Sequence, residues 1–443
     1  MKKLLSYIVN FIIDNNILWP FYYPIIFLMK EVRVNNASQG NGVTILALNP
    51  YRFRGDLEDL AQAGFKVLKM PYKWQTRVFY AYKGYNYKDK GLKDHFKNPP
   101  ANSKIHKDRV RLRGYLSNLL EAIFLKKEIN CIIGANIFYN QDFDWAAAAV
   151  DIGCPYIVFH RENLVVNKHM HMVTKKYAEL LNEIGFCGTS IVFHNNIMKN
   201  IYDKYSGVNP SKIHALGSIR MDRYIHILKN NKFKSNNGIL LFTFPPSSAI
   251  IGKHEDNFGW YELHNEVHTA FVELAIENPK INFIIKNKGV GWEETEALLI
   301  KLGALDLDNL IIHGEFYDAQ KLILESNVVT GFCSTALLES AIAGKPIIYP
   351  FFNEAQNGLY SDYLCFSDAL DMFDLATNKS QFKDLLIERF RVSEISKKVM
   401  KYRELQFEKH VSSLSSNALQ KYSNLIFSEV KRHNINNKNI QTM

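Results

Sequence analysis

Several common signatures are missing from this sequence, and each absence removes a class of protein. No G-x-x-x-x-G-K-[ST] stretch occurs, so a P-loop nucleotidase is excluded at motif level. Cysteine is scarce: Cys131, Cys154, Cys187, Cys333 and Cys365 are odd in number, widely spaced and mostly inside apolar runs. That spacing shows neither a disulfide framework nor paired metal ligands, and the compartment it suggests is a reducing cytoplasm. An unbroken apolar run of about 20 residues, as a spanning helix needs, is also lacking. The apolar segment from Leu4 to Met29 is interrupted by Asn10, by Asp14-Asn15-Asn16 and by Pro20 and Pro24. No small-residue cleavage site follows it, so no signal peptide is expected. No repeat of solenoid length is present. His169 and His171 in "NKHMHM" stand two apart and point to different faces of a helix. "DFD" (142–144) sits at a helix start and reads as capping, so no metal is expected.

Acidic residues are few where basic ones gather. The net charge is +10, yet between Lys66 and Arg113 fourteen Lys or Arg face three Asp, so the rest of the chain is close to neutral. Tyr72, Trp74, Phe79, Tyr80, Tyr82, Tyr85, Tyr87 and Phe96 are interleaved there, a mixture suited to a polyanion or an anionic lipid surface. The plainer reading is a solvated loop region with core aromatics. No nucleic-acid module is recognisable, and nucleic acid is not expected as a partner. In the N-terminal segment Trp19, Phe21, Tyr22 and Tyr23 suit headgroup depth, with Lys2, Lys3, Lys30 and Arg33 beside them. Peripheral attachment to the inner face of the plasma membrane is the resulting expectation; packing on the protein's own surface is its alternative.

With 443 residues, 47% of them hydrophobic and 22% charged, the chain is globular and too long for one ordinary core. Short β-rich runs alternate with helical stretches: "VTILALNP" (43–50), "CIIGANI" (131–137), "YIVFH" (156–160) and "SIVFHN" (190–195) in one half. After the polar stretch "KNNKFKSNNG" (229–238) the alternation restarts with "ILLFTFPP", "NFIIKNK" (282–288), "NLIIHGE" (309–315) and the run at 328. Such alternation predicts two doubly wound α/β domains, Rossmann-like parallel sheets facing a cleft. The expected boundaries are an apolar segment 1–35, an N-terminal domain 36–225, a C-terminal domain 238–380, helices 381–432 crossing the domain junction, and a flexible tail 433–443.

The stretch "VVTGFCSTALLESAIAGKPIIYP" (328–350) reads strand, helix, strand. Ligands of open parallel sheets bind beyond the carboxyl ends of the strands, where helices begin. Ser334 and Thr335 stand at such a point, suited to a phosphate or, alternatively, to an N-cap. Glu339 returns to the same end of the helix, where a carboxylate accepts hydrogen bonds from a ribose diol or simply complements the helix dipole. The whole segment resembles the donor-binding segment of GT-B glycosyltransferases. Among these it is most similar to the enzymes of bacterial surface-polysaccharide and capsule synthesis and, distantly, to the glycerophosphotransferases of teichoic acid synthesis. "GSIRMDRY" (217–224) is similar to the family's Gly-x-x-Arg-x-Asp turn, and "FIIKNK" (283–288) to a position that often reads Lys-Pro-His. Asn287 and Lys288 replace the Pro-His pair while Lys286 keeps a cation. The resemblance covers roughly 210–350 and implies that Ser334, Thr335, Glu339, Lys286 and Arg220 contact a nucleotide-activated donor.

For the acceptor, a general base is needed to take the hydroxyl proton. "FHREN" (159–163) follows a strand, so His160 and Glu162 are base candidates beside Arg161, with a salt-bridged loop as the alternative. Asp56 is a further candidate, and Arg52, Arg54 and Arg161 are expected contacts of an anionic acceptor. His194 reads as a satisfied histidine at a strand end. The implied activity is transfer of a sugar from a nucleotide-activated donor to a glycan or lipid-linked acceptor, without metal or cofactor. A cytidine-diphosphate alditol phosphotransferase, a sugar epimerase of the same fold and a non-catalytic binding protein are the alternatives.

Overall fold

Strands that are apolar at every position belong in the middle of parallel sheets, covered on both faces. Every residue of the strands at 44–47, 131–134, 156–159, 190–193, 238–242, 328–331 and 347–350 is buried. A computed structural model of the chain describes residues 2–35, 38–82, 103–230, 237–250, 258–289 and 291–441. Tyr85, Tyr87 and Phe96, with the lysines among them, and the middle of the 229–238 stretch lie outside the described residues.

Along the first half the elements are α1 (Lys2–Asp14), α2 (Trp19–Leu28), β1 (Lys30–Glu31), β2 (Thr44–Ala47), α3 (Asp56–Gln62), β3 (Lys66–Lys69), α4 (Tyr72–Tyr82) and α5 (Lys104–Lys127). There follow β4 (Cys131–Gly134), α6 (Asn140–Asp151), β5 (Tyr156–Phe159), α7 (Lys168–Ile184), β6 (Ser190–Phe193), α8 (Asn196–Tyr205), β7 (Ile213–Ala215) and α9 (Ile219–Asn230). The second half runs β8 (Gly238–Phe242), α10 (Tyr261–Glu277), β9 (Asn282–Lys286), α11 (Trp292–Lys301), β10 (Leu310–His313), α12 (Ala319–Glu325) and β11 (Val328–Gly331). It ends with α13 (Ala336–Ile342), β12 (Ile347–Pro350), β13 (Asp374–Ala376), α14 (Lys379–Arg391), α15 (Lys397–His410) and α16 (Ala418–Gln441).

Two compact units result: 1–163 with 175–223 and 415–443, and 164–174 with 224–414. The first holds a seven-stranded sheet in the order β1-β3-β2-β4-β5-β6-β7, parallel except for the two-residue β1, which pairs antiparallel with β3. The second holds a six-stranded parallel sheet in the order β10-β9-β8-β11-β12-β13. Both are doubly wound sheets, with β1 and β13 as short edge strands that the sequence pattern did not reveal.

The C-terminal helices divide between the units. α14 and α15 belong to the second, whereas α16 returns to the core of the first, where Tyr422, Ile426 and Val430 pack with Phe159, Ile45 and Leu57. The "GSIRMDRY" turn holds it there: the Gly217 carbonyl accepts the Tyr422 hydroxyl at 3.0 Å, and an Asp222 carboxylate oxygen accepts the Leu419 amide at 2.8 Å. Asp222 thus satisfies a free amide of the first turn of α16. Asp222→Ala is expected to lower the stability of the first unit by about 0.5–2 kcal/mol, the usual worth of such a cap. Urea unfolding followed by far-UV circular dichroism reads this, and an unchanged midpoint rejects it. α16 runs through the Asn-rich stretch to Gln441.

Two further expectations change. Cys333 and Cys365 are joined in a disulfide with Cα atoms 5.2 Å apart, so the cysteines are not all unpaired as their spacing suggested. The N-terminal segment forms two helices rather than one broken run, because Pro20 lies in the first turn of α2, where proline lacks no needed donor. Phe21, placed at headgroup depth by the sequence reading, is instead buried against Trp74 and Tyr115.

Candidate functional site

In the second unit the parallel register lines up Gly331, Phe242, Lys286 and His313 along one carboxyl edge. The order of strands reverses between β8 and β11, and a crevice opens at such a switch point because successive crossovers leave on opposite faces. Gly331 lets the backbones pack closely at this junction: a Cβ there would stand 3.0 Å from the Phe242 carbonyl oxygen, a tight contact. Beyond it Cys333 adopts a left-handed φ of 48°, which turns the chain into α13.

Of the residues expected to meet the donor, Ser334, Thr335, Glu339 and Lys286 belong to this unit, in different states, and Arg220 to the first. Ser334 is buried, and its hydroxyl accepts the Ala336 amide at 3.3 Å, a local turn bond. Thr335 is half-buried and makes no capping bond. Glu339 is buried on α13; one carboxylate oxygen accepts the Gln320 amide of α12 at 3.1 Å, and its carbonyl accepts the Tyr224 hydroxyl at 3.1 Å. Lys286 ends β9 with its ammonium buried, donating to the carbonyls of Asn287 (2.7 Å), Gly314 (2.9 Å) and Glu315 (3.1 Å). Three carbonyls match the three protons of an ammonium, so Lys286 ties two loops together rather than presenting a donor to a ligand.

Lys288 takes the open role. It lies two residues on, half-buried, and burial together with the charge of Lys286 pushes its ammonium down to about 8. Two neighbouring cations, one of them half-buried, favour any anion that enters. The signal was present in the sequence, where Lys288 stands in a position that the resembled family fills with histidine. The Gly-Lys-Pro that ends the segment is structural: Gly344 has φ 68° after α13, and Lys345 donates to the carbonyls of Leu324 (2.8 Å) and Ser326 (2.6 Å) at the end of α12. A lysine closing the C-terminus of a helix satisfies carbonyls that have no partner within the helix.

The first unit carries a second cluster at the carboxyl edge of its own sheet. Arg54 and Gly55 turn with φ 47° and 102°, bringing Asp56 to the start of α3. There its carboxylate pairs with Arg161, which follows β5. Both side chains are largely withdrawn from water, at 4% and 11% exposure. Asp56 is therefore an ion-pair partner, not a free base. His160 is buried with its ring 5.3 Å from that of Phe193, and burial holds its imidazole down to about 4. Glu162 is exposed, 3.5 Å from the Tyr139 hydroxyl. Arg52 and Arg54 are exposed, the Arg52 guanidinium lying 5.5 Å from the centre of the Tyr139 ring. Arg220 is half-buried.

His194 is the residue that sequence reading set aside and the fold brings forward. It is half-buried beyond β6, its amide held by the Asn163 side chain at 2.9 Å. Burial first, then the charges of Arg161 and Arg220, then His160, hold its imidazole well below its ordinary value. A neutral imidazole beside two guanidinium groups is a proton acceptor in a field that attracts anions. The "DFD" pair has structural work: Asp142 accepts Gln75 at 2.6 Å, and Asp144 pairs with Arg109 and Arg113 at 3.4 and 3.1 Å.

No family model matches the chain, and no curated protein matches it significantly. Among solved structures it is similar to a putative UDP-N-acetylglucosamine 2-epimerase from Listeria monocytogenes (12% identity, 89% of this chain and 98% of that chain, TM-score 0.49). It is similar also to the UDP-GlcNAc 2-epimerase from Neisseria meningitidis bound to UDP-GlcNAc (12%, 87% and 99%, TM-score 0.46) and to a glycosyltransferase from Rickettsia africae (12%, 88% and 99%, TM-score 0.45). Likeness at this level identifies no activity.

Proposed function

We propose that the chain is a glycosyltransferase of GT-B type that transfers a sugar from a nucleotide-activated donor to a hydroxyl of a glycan or lipid-linked acceptor in surface-polysaccharide synthesis. The observation that carries this reading is the register of the second sheet. It puts the "STALLE" segment at the switch point, with Lys286 and Lys288 ending the strand next but one, about 10 Å away at the usual strand spacing. In this reading Glu339 accepts the ribose hydroxyls, Thr335 and Lys288 meet the diphosphate, and Lys286 adds charge behind it. Charge building on the departing diphosphate is then stabilised by groups already in place.

In the first unit His194 takes the proton of the acceptor hydroxyl. The freed oxygen pair attacks the anomeric carbon, and the bond from that carbon to the diphosphate oxygen breaks with its electrons leaving on the nucleotide. Arg220, Arg52 and Arg54 supply the positive field for an anionic acceptor, while Arg161 is held by Asp56. The reading places the enzyme on the cytoplasmic, inner face of the plasma membrane, a placement that no longer draws on unpaired cysteines, since Cys333 and Cys365 are joined.

Incubation of the full chain with a panel of nucleotide sugars and cytidine-diphosphate alditols tests this. Release of a nucleoside diphosphate from a nucleotide sugar, dependent on added acceptor, is the expected result. Release of cytidine monophosphate identifies an alditol phosphotransferase, and inversion at C2 seen by NMR identifies an epimerase. Glu339→Ala is expected to weaken nucleotide binding by about 1–3 kcal/mol, roughly fivefold to 150-fold by calorimetry. Unchanged affinity removes Glu339 from the site.

A further inference from the structure

The two N-terminal helices are fastened to the first unit by one face each. Val9 and Ile13 of α1 and Phe21 and Ile25 of α2 are buried. Asp14 pairs with Arg111 at 3.0 Å, the Tyr115 hydroxyl donates to the Ile17 carbonyl at 3.0 Å, and the Asn118 amide donates to Asn16 at 3.0 Å. The opposite faces would ordinarily be polar on a helix lying on a protein surface. Here they are apolar and exposed. Leu4, Tyr7 and Phe11 on α1 are 63%, 74% and 62% exposed, and Trp19, Tyr23 and Phe27 on α2 are 65%, 65% and 87% exposed. The spacings of three and four residues keep each set on one side of its helix. An open apolar groove of α2, floored by Pro24, Phe27 and Met29, is bordered by Lys127.

The charge around this face is of one dominant sign. Lys30 and Arg33 follow α2 and are exposed, as is Lys126 at the end of α5; Lys2 and Lys3 open α1. Asp14 shares Arg111 with Asp108, and Glu31 and Glu128 are the other carboxylates near these helices in the sequence, fewer than the cations. No helix among the described residues is long and apolar enough to cross a membrane. Aromatic and aliphatic side chains fixed on a rigid base and rimmed by cations match the interfacial zone of an anionic bilayer. Tryptophan and tyrosine settle at headgroup depth, and apolar burial plus charge attraction together exceed the weak hold of either alone.

We propose that the outward faces of α1 and α2 form a docking surface for an anionic lipid leaflet, lying in its interface without spanning it. This deepens the membrane part of the functional reading and rests on it, but it is independent of the reaction. Sedimentation of the full chain with vesicles of zwitterionic lipid, and of the same lipid mixed with phosphatidylglycerol, is the test. Binding to the anionic vesicles is expected, weakened by high salt because the charge attraction is screened within a Debye length. The variant Tyr7→Ser/Phe11→Ser/Phe27→Ser is expected to lose about tenfold or more in vesicle affinity. The three side chains are exposed, so its thermal unfolding midpoint should stay unchanged. Nucleotide release in detergent-free solution should also persist, which separates failure of docking from failure of the transferase reading. Vesicle binding that is absent, or equal in the variant, overturns the proposal. So does a wild-type dimer in light scattering that the same substitutions dissociate without any vesicle binding, since the face then belongs to a second copy.

Discussion

His194→Ala is expected to lower kcat/KM by about 10²–10⁴, the range over which a positioned general base acts, while nucleotide binding to the second unit stays unchanged. The pH profile should carry the same signature. A base works only when unprotonated, and burial with Arg161 and Arg220 holds the His194 imidazole well below 6.5. Activity should therefore persist as pH falls through 6.5 and decline only at lower pH. On the proposed reading the alkaline side is set by Lys288, whose ammonium is pushed down to about 8. Above that value it loses its charge, so affinity for the diphosphate should weaken as pH rises through 8, and Lys288→Gln should remove that limb. A bound anion favours the protonated form and moves the limb upward in the complex. A His194→Ala variant with undiminished turnover, or an acid limb unaffected by the substitution, assigns the base elsewhere.

Arg161→Ala is expected to destabilise the first unit by about 3–5 kcal/mol, because it strands the Asp56 carboxylate in a site nearly closed to water. Removing one partner of such a pair costs more than the pair itself contributes. The double variant Arg161→Ala/Asp56→Asn is thus expected to recover a large part of the loss, which a urea-unfolding cycle measures directly. Arg161 also bears on His194, so the single variant, where it folds, should move the acid limb of activity up toward the ordinary imidazole value. A loss below about 1 kcal/mol, with no recovery in the double variant, would show that water reaches the pair and that its apparent burial has no energetic weight.

Much of the architecture was written locally. Runs such as "TILA", "CIIG" and "YIVF" are apolar almost throughout, with no alternation of polar positions to face water, so a strand made from them is buried on both faces and its sheet is parallel. The helix pattern between them follows from the same short-range periodicity. The position of "STALLE" after such a strand was equally plain, and so was Glu339 one turn further on. By contrast β1 and β13, two and three residues long, carry too few side chains for a pattern.

What the sequence by itself determined is therefore the alternation of strands and helices, the presence of two α/β halves and the segment at the end of β11. Tertiary structure alone decided which of the polar residues remain available. Asp56 and Arg161 stand 105 residues apart and meet because β2, β4 and β5 are adjacent in one sheet. Lys286 is closed off by carbonyls 28 and 29 residues later, brought beside it by the pairing of β9 with β10, and the open position passes to Lys288. Cys333 reaches Cys365, and α16 returns to the first unit, for the same kind of reason. Periodicity is a property of neighbours along the chain, whereas the partner of a buried charge is set by strand order, which places together residues that no local pattern connects.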